Sequence, residues 1–216
     1  MKVALIGASG FVGKAILTEL AERGHQVTAI ARNAEKIPAA ENVNAVSANA
    51  LKEAEIVTAI AGHDAVISAY NPGWNNPNLY KEFLLGSQLI QTAVRKSGIK
   101  RLIVVGGAGS LFIAPDQQIV DTEGFPPEWK SGATAARDYL NLLKEEKDLD
   151  WTFLSPAVEM HQGTSGERKG VYRTGLENPV FDTKGRSVIS VEDTAVAIVD
   201  ELEKPRHTQQ RFTIAY

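Results

Sequence analysis

The sequence has no cysteine among its 216 residues. Disulfide bonds, thiolate metal ligands and a thiol nucleophile are therefore excluded. Aromatic residues make up only 7% of the chain, but 44% of the residues are hydrophobic, which is enough for a sizeable core. No run approaches the roughly 18 apolar residues of a membrane helix. The first apolar run, Val3–Ile6, is too short for a signal peptide because Gly7 ends it. We expect a cytoplasmic protein.

An excess of basic residues is also lacking, since 23 Lys and Arg stand against 26 Asp and Glu and the formal charge is −3. No basic block is present, so neither nucleic acid nor an anionic membrane is expected as a partner. The four histidines show no metal-ligand spacing, and no metal site is predicted. A small-molecule substrate is the expected partner, and a homo-oligomer is left open.

Short apolar runs alternate with longer amphipathic segments along the chain. Strands are predicted at Val3–Ile6, Val27–Ala31, Val43–Ser47, Ala65–Ala69, Leu102–Val105, Trp151–Ser155 and Arg211–Ala215, with short strands near Val171–Arg173 and Val180–Asp182. Helices are predicted at Phe11–Arg23, Leu51–Ala61, Pro77–Ser97, Thr134–Lys147 and from Ser190 to about Glu203. Asn76 is expected to cap the third helix, and Ser190 with Asp193 forms a capping box for the last.

Three helix-to-strand joints look alike, at Gly24, Gly62 and Gly98. Each places a glycine where a helix needs a left-handed C-terminal residue, and a buried strand follows within a few residues. Strands separated by helices at this spacing imply a parallel sheet with helices on both faces. The predicted fold is an α/β Rossmann-type doubly wound sheet in one domain, residues 1–216, with a small substrate-side lobe at about 156–190. The long segment 106–131 is expected to be functional or to carry a short helix.

Three glycines, spaced three residues apart, follow the first predicted strand. Gly7 allows the tight turn, Gly10 lets the backbone approach a pyrophosphate, and Gly13 lets the helix pack closely on the strand. The helix N-terminus adds free N–H groups and positive dipole charge. At the first strand–helix junction this motif predicts a nicotinamide dinucleotide, with a glycine-rich turn of another α/β fold as the alternative. The predicted contacts are Gly7, Ser9, Gly10, Phe11, Val12 and Gly13.

The residue after the second strand distinguishes between the two nicotinamide cofactors. Arg32 stands nineteen residues after Gly13, where an acidic residue would hold the ribose 2′-OH of NAD. A guanidinium there suits the 2′-phosphate of NADP through bidentate charge-assisted bonds, and Lys36 adds charge. An exposed surface arginine is the alternative. NADP is therefore the predicted cofactor, with NAD as the second choice.

Over essentially its whole length the sequence resembles the atypical short-chain dehydrogenase/reductases, specifically the NAD(P)H-binding group near the NmrA-like proteins. The resemblance rests on the glycine motif and on segments 64–69, 101–107, 155–157 and 189–195. Such proteins are often labelled NADH-flavin reductase-like or epimerase/dehydratase-like. The resemblance implies dinucleotide contacts at Ser68, Ala69 and Pro156, and at Asn49, which replaces the aspartate that often follows the third strand.

One departure from this superfamily concerns the proton donor. Catalytic members carry Tyr-x-x-x-Lys on the fifth helix, where the ammonium lowers the pKa of the tyrosine. Here the fourth residue after Tyr139 is Leu143, and Lys144 lies about 100° further around the helix. We expect Tyr139 to be a packing residue rather than an acid.

Ligands of open α/β sheets lie beyond the carboxyl ends of the strands. The loops after strands four, five and six are therefore predicted to form the substrate side of the site. Ser110 is predicted to touch a substrate oxygen or the nicotinamide amide, and a turn residue is the alternative. Trp74 and Phe112 are predicted to stack on a planar substrate, with core or lid packing as the alternative. His161 is predicted to shuttle protons, against a solvated loop histidine.

These residues favour an NADPH-dependent reductase of a small planar acceptor such as a flavin or quinone. Hydride transfer between two positioned rings needs no strong protein acid. One alternative is a non-catalytic NADP(H)-binding redox sensor of NmrA-like type. A weaker one is a nucleotide-sugar epimerase or dehydratase, because the Tyr–Lys pair is missing and the C-terminal lobe is small.

Overall fold

The computed structural model describes residues 1–216 and contains ten strands. They are β1 (Lys2–Ile6), β2 (Gln26–Ala31), β3 (Val43–Ser47), β4 (Ala65–Ser68), β5 (Arg101–Val105), β6 (Phe112–Ala114), β7 (Gln117–Gln118), β8 (Asp150–Ser155), β9 (Arg173–Gly175) and β10 (Gln210–Ala215). Eight of them form one sheet in the order β3-β2-β1-β4-β5-β8-β10-β9, while β6 and β7 form a separate hairpin. Within the sheet only β9 runs antiparallel to its neighbour.

Five helices cover the two faces of this sheet. They are α1 (Phe11–Glu22), α2 (Glu53–Ile60), α3 (Leu79–Lys96), α4 (Pro127–Leu143) and α5 (Val191–Glu203). Side chains of α1 and α5 pack on one face, and those of α2, α3 and α4 pack on the other. In β1, Val3 and Leu5 enter the first core, whereas Ala4 and Ile6 enter the second, as the period of two along a strand requires. The predicted doubly wound α/β fold is confirmed.

The three glycine joints have the conformation that the sequence predicts. Gly24, Gly62 and Gly98 have φ angles between +73° and +78°, the left-handed region in which a helix commonly ends. Each joint returns the chain to the amino end of the next parallel strand. None of the five helices combines the length and the apolar character that crossing a membrane requires.

Several helix boundaries differ from the prediction, among them the end of α4, at Leu143 rather than Lys147, and the starts of α3 and α4. α3 begins at Leu79 rather than Pro77, because the Asn76 side chain accepts a hydrogen bond from the Asn78 amide (2.8 Å) and forms a turn before the helix. α4 begins at Pro127, seven residues earlier than predicted, since a proline is preorganised for the first turn. It also continues through Gly132, which lies in its interior.

The lobe at 156–190 contains one of its two predicted strands. β9 lies at Arg173–Gly175 and pairs with β10, so the lobe is hydrogen-bonded to the main sheet. The segment near Asp182 is not a strand, because that carboxylate accepts the amides of Lys184 and Arg186 and forms a tight turn. The segment 106–131 holds the β6–β7 hairpin and two short 3-10 turns.

The capping box at the start of α5 is only half formed. The hydroxyl of Ser190 accepts the amide of Asp193 (3.0 Å), as predicted. The Asp193 carboxylate does not return to the Ser190 amide but accepts the Gly170 amide (2.7 Å) and the Tyr216 hydroxyl. A buried carboxylate that the sequence assigned to a helix cap therefore ties the lobe to α5.

Candidate functional site

The three glycines between β1 and α1 differ in what surrounds them. Gly7 has a φ of +85°, and any side chain there would overlap the carbonyl of Ala69. A side chain at Gly13 would overlap the Gly7 carbonyl and push α1 away from β1. Gly10 has ordinary backbone angles, and a Cβ there would stand 3.3 Å from the Gly7 oxygen and meet nothing else. The fold itself therefore needs Gly7 and Gly13, whereas Gly10 borders open space.

The first amides of α1 point into that space. Gly10 caps the helix without any side-chain hydrogen bond, and its carbonyl accepts the Lys14 amide (2.9 Å). The amides of Phe11, Val12 and Gly13 have no acceptor within the protein, and the first turn carries no acidic residue. Fixed N–H donors at the positive end of a helix dipole suit a pyrophosphate. The residues present thus fit a dinucleotide at this junction.

Arg32 lies at the end of β2 with an exposed side chain. Its Nη2 donates to the carbonyl of Pro72 (3.3 Å) in the loop after β4. Because β1 lies between β2 and β4, the guanidinium spans the end of β1 beside the glycine loop. Its other N–H groups have no protein partner, so most of the donor fork is available to an anion.

The other predicted dinucleotide residues lie at the same edge of the sheet. Ser68 ends β4 and Ala69 follows it, and the Ala69 amide donates to the Ile6 carbonyl (2.9 Å) at the end of β1. Asn49 follows β3, where its side-chain oxygen accepts the Leu51 amide (3.0 Å) and its side-chain NH₂ has no protein partner. Pro156 directly follows β8. All four adjoin the carboxyl ends of parallel strands, the edge at which open α/β sheets bind ligands.

Ser110 ends the short turn Ala108–Ser110 and is buried. Only 1% of its surface is exposed, and its hydroxyl accepts Arg211 Nη1 (3.1 Å). Arg211 also donates to the Ser110 carbonyl (2.9 Å) and forms an ion pair with Glu177. Ser110 therefore anchors the loop after β5 to β10. Arg211 itself was missed, although a charged residue in an apolar strand is a signal for a buried polar contact.

Phe112 and His161 also have structural partners. The ring of Phe112 lies 6.0 Å from the Arg211 guanidinium carbon, and its backbone amide donates to Glu177 (2.9 Å) in the lobe. Phe112 therefore lies where the hairpin meets the lobe. His161 is exposed, and its Nδ1 accepts the Gly163 amide (3.0 Å), which caps a short turn and leaves Nε2 free. No group of three His, Asp or Glu side chains converges on a metal-binding arrangement.

Trp74 is 57% exposed in the loop after β4. Its ring lies against α4, since a Cβ on Gly132 would stand 2.6 Å from the ring. The glycine inside α4 is therefore explained by the indole that covers it. Trp129 lies three residues before Gly132 on α4 and is also exposed. No sequence motif marked Trp129.

Tyr139 is buried in the core between α4 and the sheet. Burial raises its pKa well above the usual range. Lys144 is exposed at the end of the helix and does not approach the hydroxyl. A tyrosine in this environment packs against neighbouring apolar side chains and is poorly suited to donate a proton.

We expect Tyr139→Phe to lower any reductase activity by less than about tenfold, because a general acid contributes roughly 100-fold or more. Steady-state kinetics of the folded variant with NADPH in excess provides the measurement. A larger loss with unchanged NADPH affinity and thermal stability would mean that the hydroxyl reaches the substrate during turnover.

The sheet is mostly parallel, helices cover both of its faces, and a glycine loop joins its first strand to its first helix. These features define a Rossmann-type dinucleotide-binding protein. The chain belongs to the NAD(P)H-binding family, whose sequence profile matches residues 7–205. It is 39% identical over 220 residues to the uncharacterized protein YwnB of Bacillus subtilis, covering 99% of this chain and 98% of that protein.

Solved structures of similar proteins include a candidate epimerase from Bacteroides thetaiotaomicron, with 44% identity and a TM-score of 0.92 over 100% of this chain and 96% of that one. A candidate NADH-flavin reductase from Streptococcus pneumoniae has 38% identity and a TM-score of 0.86 over 100% and 99% of the two chains. The chain is therefore similar to NAD(P)H-dependent oxidoreductases.

Proposed function

We propose that this protein is a reductase that transfers hydride from NADPH to a small planar acceptor such as a flavin or a quinone. The observation that carries the proposal is an intact dinucleotide cradle combined with a buried Tyr139 that has no lysine partner. NADPH supplies the hydride, and one proton from water completes the reduction of the acceptor. Chemistry of this kind depends on positioning two rings rather than on a protein acid.

In this proposal each part of the cradle has one task. The free amides at the start of α1 bind the pyrophosphate, and Arg32 binds the 2′-phosphate. With the adenosine toward β2 and β3, the nicotinamide extends toward the carboxyl ends of β4, β5 and β8.

Two neighbouring glycines after β5 differ in the space that they leave. The ring of Phe153 already fills the position that a side chain at Gly106 would take. A Cβ on Gly107 would meet only the Ala136 methyl, at 3.8 Å. Of the two, Gly107 therefore leaves the opening that supports a flat ring lying against the backbone.

We expect Trp74→Ala to raise the KM for the acceptor several-fold while changing NADPH affinity by less than a few-fold. The exposed indole offers a stacking surface, worth about 0.5–1.5 kcal/mol per aromatic pair beyond area burial. Acceptor kinetics and calorimetric titration with NADPH give the two quantities. Phe181→Ala, which removes another exposed aromatic ring from the lobe, is the matched control. Loss of NADPH binding with intact acceptor kinetics would assign this loop to the dinucleotide.

The decisive experiment measures NADPH oxidation against a panel of flavins and quinones. Turnover with one of these acceptors is the expected result. Tight NADPH binding without turnover on any acceptor would favour the redox-sensor alternative, in which the protein reports the cofactor state to another molecule. The buried Tyr139 favours this second function, because a tyrosine in that environment is poorly suited to donate a proton.

A further inference from the structure

Two buried hydroxyls at the carboxyl edge of the sheet have no hydrogen-bond partner. Ser155 is the last residue of β8, and Thr213 stands opposite it in the parallel register between β8 and β10. Both residues are 0% exposed, and neither hydroxyl oxygen meets a donor or acceptor in the protein. A buried, unsatisfied hydroxyl destabilises a fold, and native proteins retain few of them. Two such groups side by side are therefore a candidate binding site.

The two hydroxyls point to the side of the sheet that α3 and α4 cover. Ser155 alternates with Leu154, which packs on the opposite core, and Thr213 alternates in the same way with Phe212 and Ile214. This is the side on which Trp74 lies against α4.

The neighbours of this pair along the same row of the sheet are glycines. Gly106, beyond the end of β5, donates its amide to Leu154 and so adjoins Ser155. Gly175 of β9 stands opposite Thr213. Across four strands, the only polar side-chain atoms of this row are the two hydroxyls.

A buried cation lies on the same face, one row away. Arg211 precedes Thr213 by two residues, its side chain is fully buried, and its guanidinium bonds to Ser110 and Glu177. Because Glu177 pairs with this cation, it is the two hydroxyl donors that favour an oxygen atom on which negative charge develops.

We infer that Ser155 and Thr213 form the oxygen-binding subsite of the acceptor pocket and donate hydrogen bonds to a ring carbonyl. This inference rests on the proposed reductase function and narrows its substrate class to planar carbonyl compounds, with quinones as the fitting example. When hydride and its electron pair reach the quinone, negative charge develops on the carbonyl oxygen, the two hydrogen bonds strengthen, and water supplies the proton that completes the hydroquinone. No sequence motif assigns a role to Ser155 or Thr213.

In this structure the pair is covered. Gly175 lies beside Thr213, and the β6–β7 hairpin is joined to the lobe by the Phe112 amide to the Glu177 carbonyl and by the Asn178 side chain to the Phe112 carbonyl (2.8 Å). Arg211 adds a further link, since it binds both Ser110 and Glu177. Entry of the acceptor requires this junction between hairpin and lobe to separate, which exposes the two hydroxyls.

The test compares Thr213→Val with Thr152→Val. Both threonines are fully buried in the same sheet, but the Thr152 hydroxyl bonds to Arg101 (2.7 Å) and to the His207 carbonyl (2.9 Å). We expect Thr213→Val to leave the thermal midpoint unchanged or higher, and Thr152→Val to lower it. With 1,4-naphthoquinone, Thr213→Val raises KM about tenfold, as the loss of one good hydrogen bond predicts, while the Kd for NADPH stays within twofold. Thr213→Ser retains the wild-type KM, and Ser155→Ala behaves like Thr213→Val.

A lower thermal midpoint for Thr213→Val, comparable with that of Thr152→Val, would overturn the inference, because the hydroxyl would then be satisfied in the free protein. A raised Kd for NADPH with an unchanged KM would overturn it too. If no acceptor is reduced, the proposed reductase function is wrong, and the subsite is then tested by quinone binding alone. 1,4-Naphthoquinone is expected to raise the thermal midpoint of the wild type but not of Thr213→Val, and an equal rise or no rise in both counts against the subsite.

Discussion

Gly10→Val is expected to abolish saturable NADPH binding while the protein remains folded. The branched side chain of valine, a Cβ with two methyl groups, would occupy the space in front of the free amides of Phe11 and Val12, where we propose that the pyrophosphate binds. The substitution is tolerated by the fold because Gly10 has ordinary backbone angles and its only close neighbour is the Gly7 oxygen at 3.3 Å. We expect an affinity loss of at least about 100-fold, equivalent to about 2.7 kcal/mol.

Calorimetric titration with NADPH, together with a thermal unfolding curve, measures this effect. Gly10→Ala is the graded control and is expected to give an intermediate affinity. Gly13→Ala provides the contrast, because its Cβ overlaps the Gly7 carbonyl and is expected to lower the thermal midpoint as well as binding. Unchanged affinity in a folded Gly10→Val variant would contradict the cofactor site.

The second large effect concerns the choice between NADPH and NADH. We expect the native protein to bind NADPH more tightly and Arg32→Glu to reverse or erase the difference, a change of roughly tens- to hundreds-fold in relative affinity. The glutamate replaces a bidentate donor with a charge that repels the 2′-phosphate. Folding is expected to change little, because the Arg32 side chain is exposed and its one protein bond, to Pro72, is 3.3 Å long.

Titration of native protein and variant with each dinucleotide gives the four affinities that this comparison needs. Arg32→Lys is the conservative control and is expected to retain part of the preference, since a lysine keeps the charge but loses the planar donor fork. Lys36→Glu tests whether a second cation contributes. Equal affinities of the native protein for NADPH and NADH would show that Arg32 does not meet the 2′-phosphate.

Local features of the chain were sufficient to predict the sheet and the phosphate loop. Apolar runs with glycine joints specify a parallel, doubly wound sheet because the period of a strand and the left-handed end of a helix depend only on neighbouring residues. The same holds for the glycine motif at 7–13, in which three residues within one turn produce both the bend and the open helix end. The prediction for Arg32 has the same local basis, since the end of β2 is a position counted along the chain.

The surroundings of the residues on the substrate side could not be predicted, because their contacts join distant segments. Serine is common in turns, so the sequence alone gives Ser110 no more than a turn role. Its hydroxyl binds Arg211, which lies a hundred and one residues later, and this contact anchors it. Phe112 similarly meets the lobe through Glu177.

The start of α4 and the glycine inside it could not be predicted for the same reason. α4 begins at Pro127 and continues through Gly132, because the ring of Trp74 covers a glycine that in isolation reads as a break. Intrinsic helix propensity disfavours that glycine locally, and packing from another part of the chain outweighs it.

By itself, then, the sequence determined the fold class, the dinucleotide loop and the absence of a Tyr–Lys pair, since each is written in residues a few positions apart. Only the tertiary structure decided that Ser110 is buried, that Asp193 holds the lobe, and that Ser155 and Thr213 stand side by side without partners. The physical reason is that register between strands separated by more than fifty residues depends on how whole layers pack, and no local spacing encodes which side chains then meet.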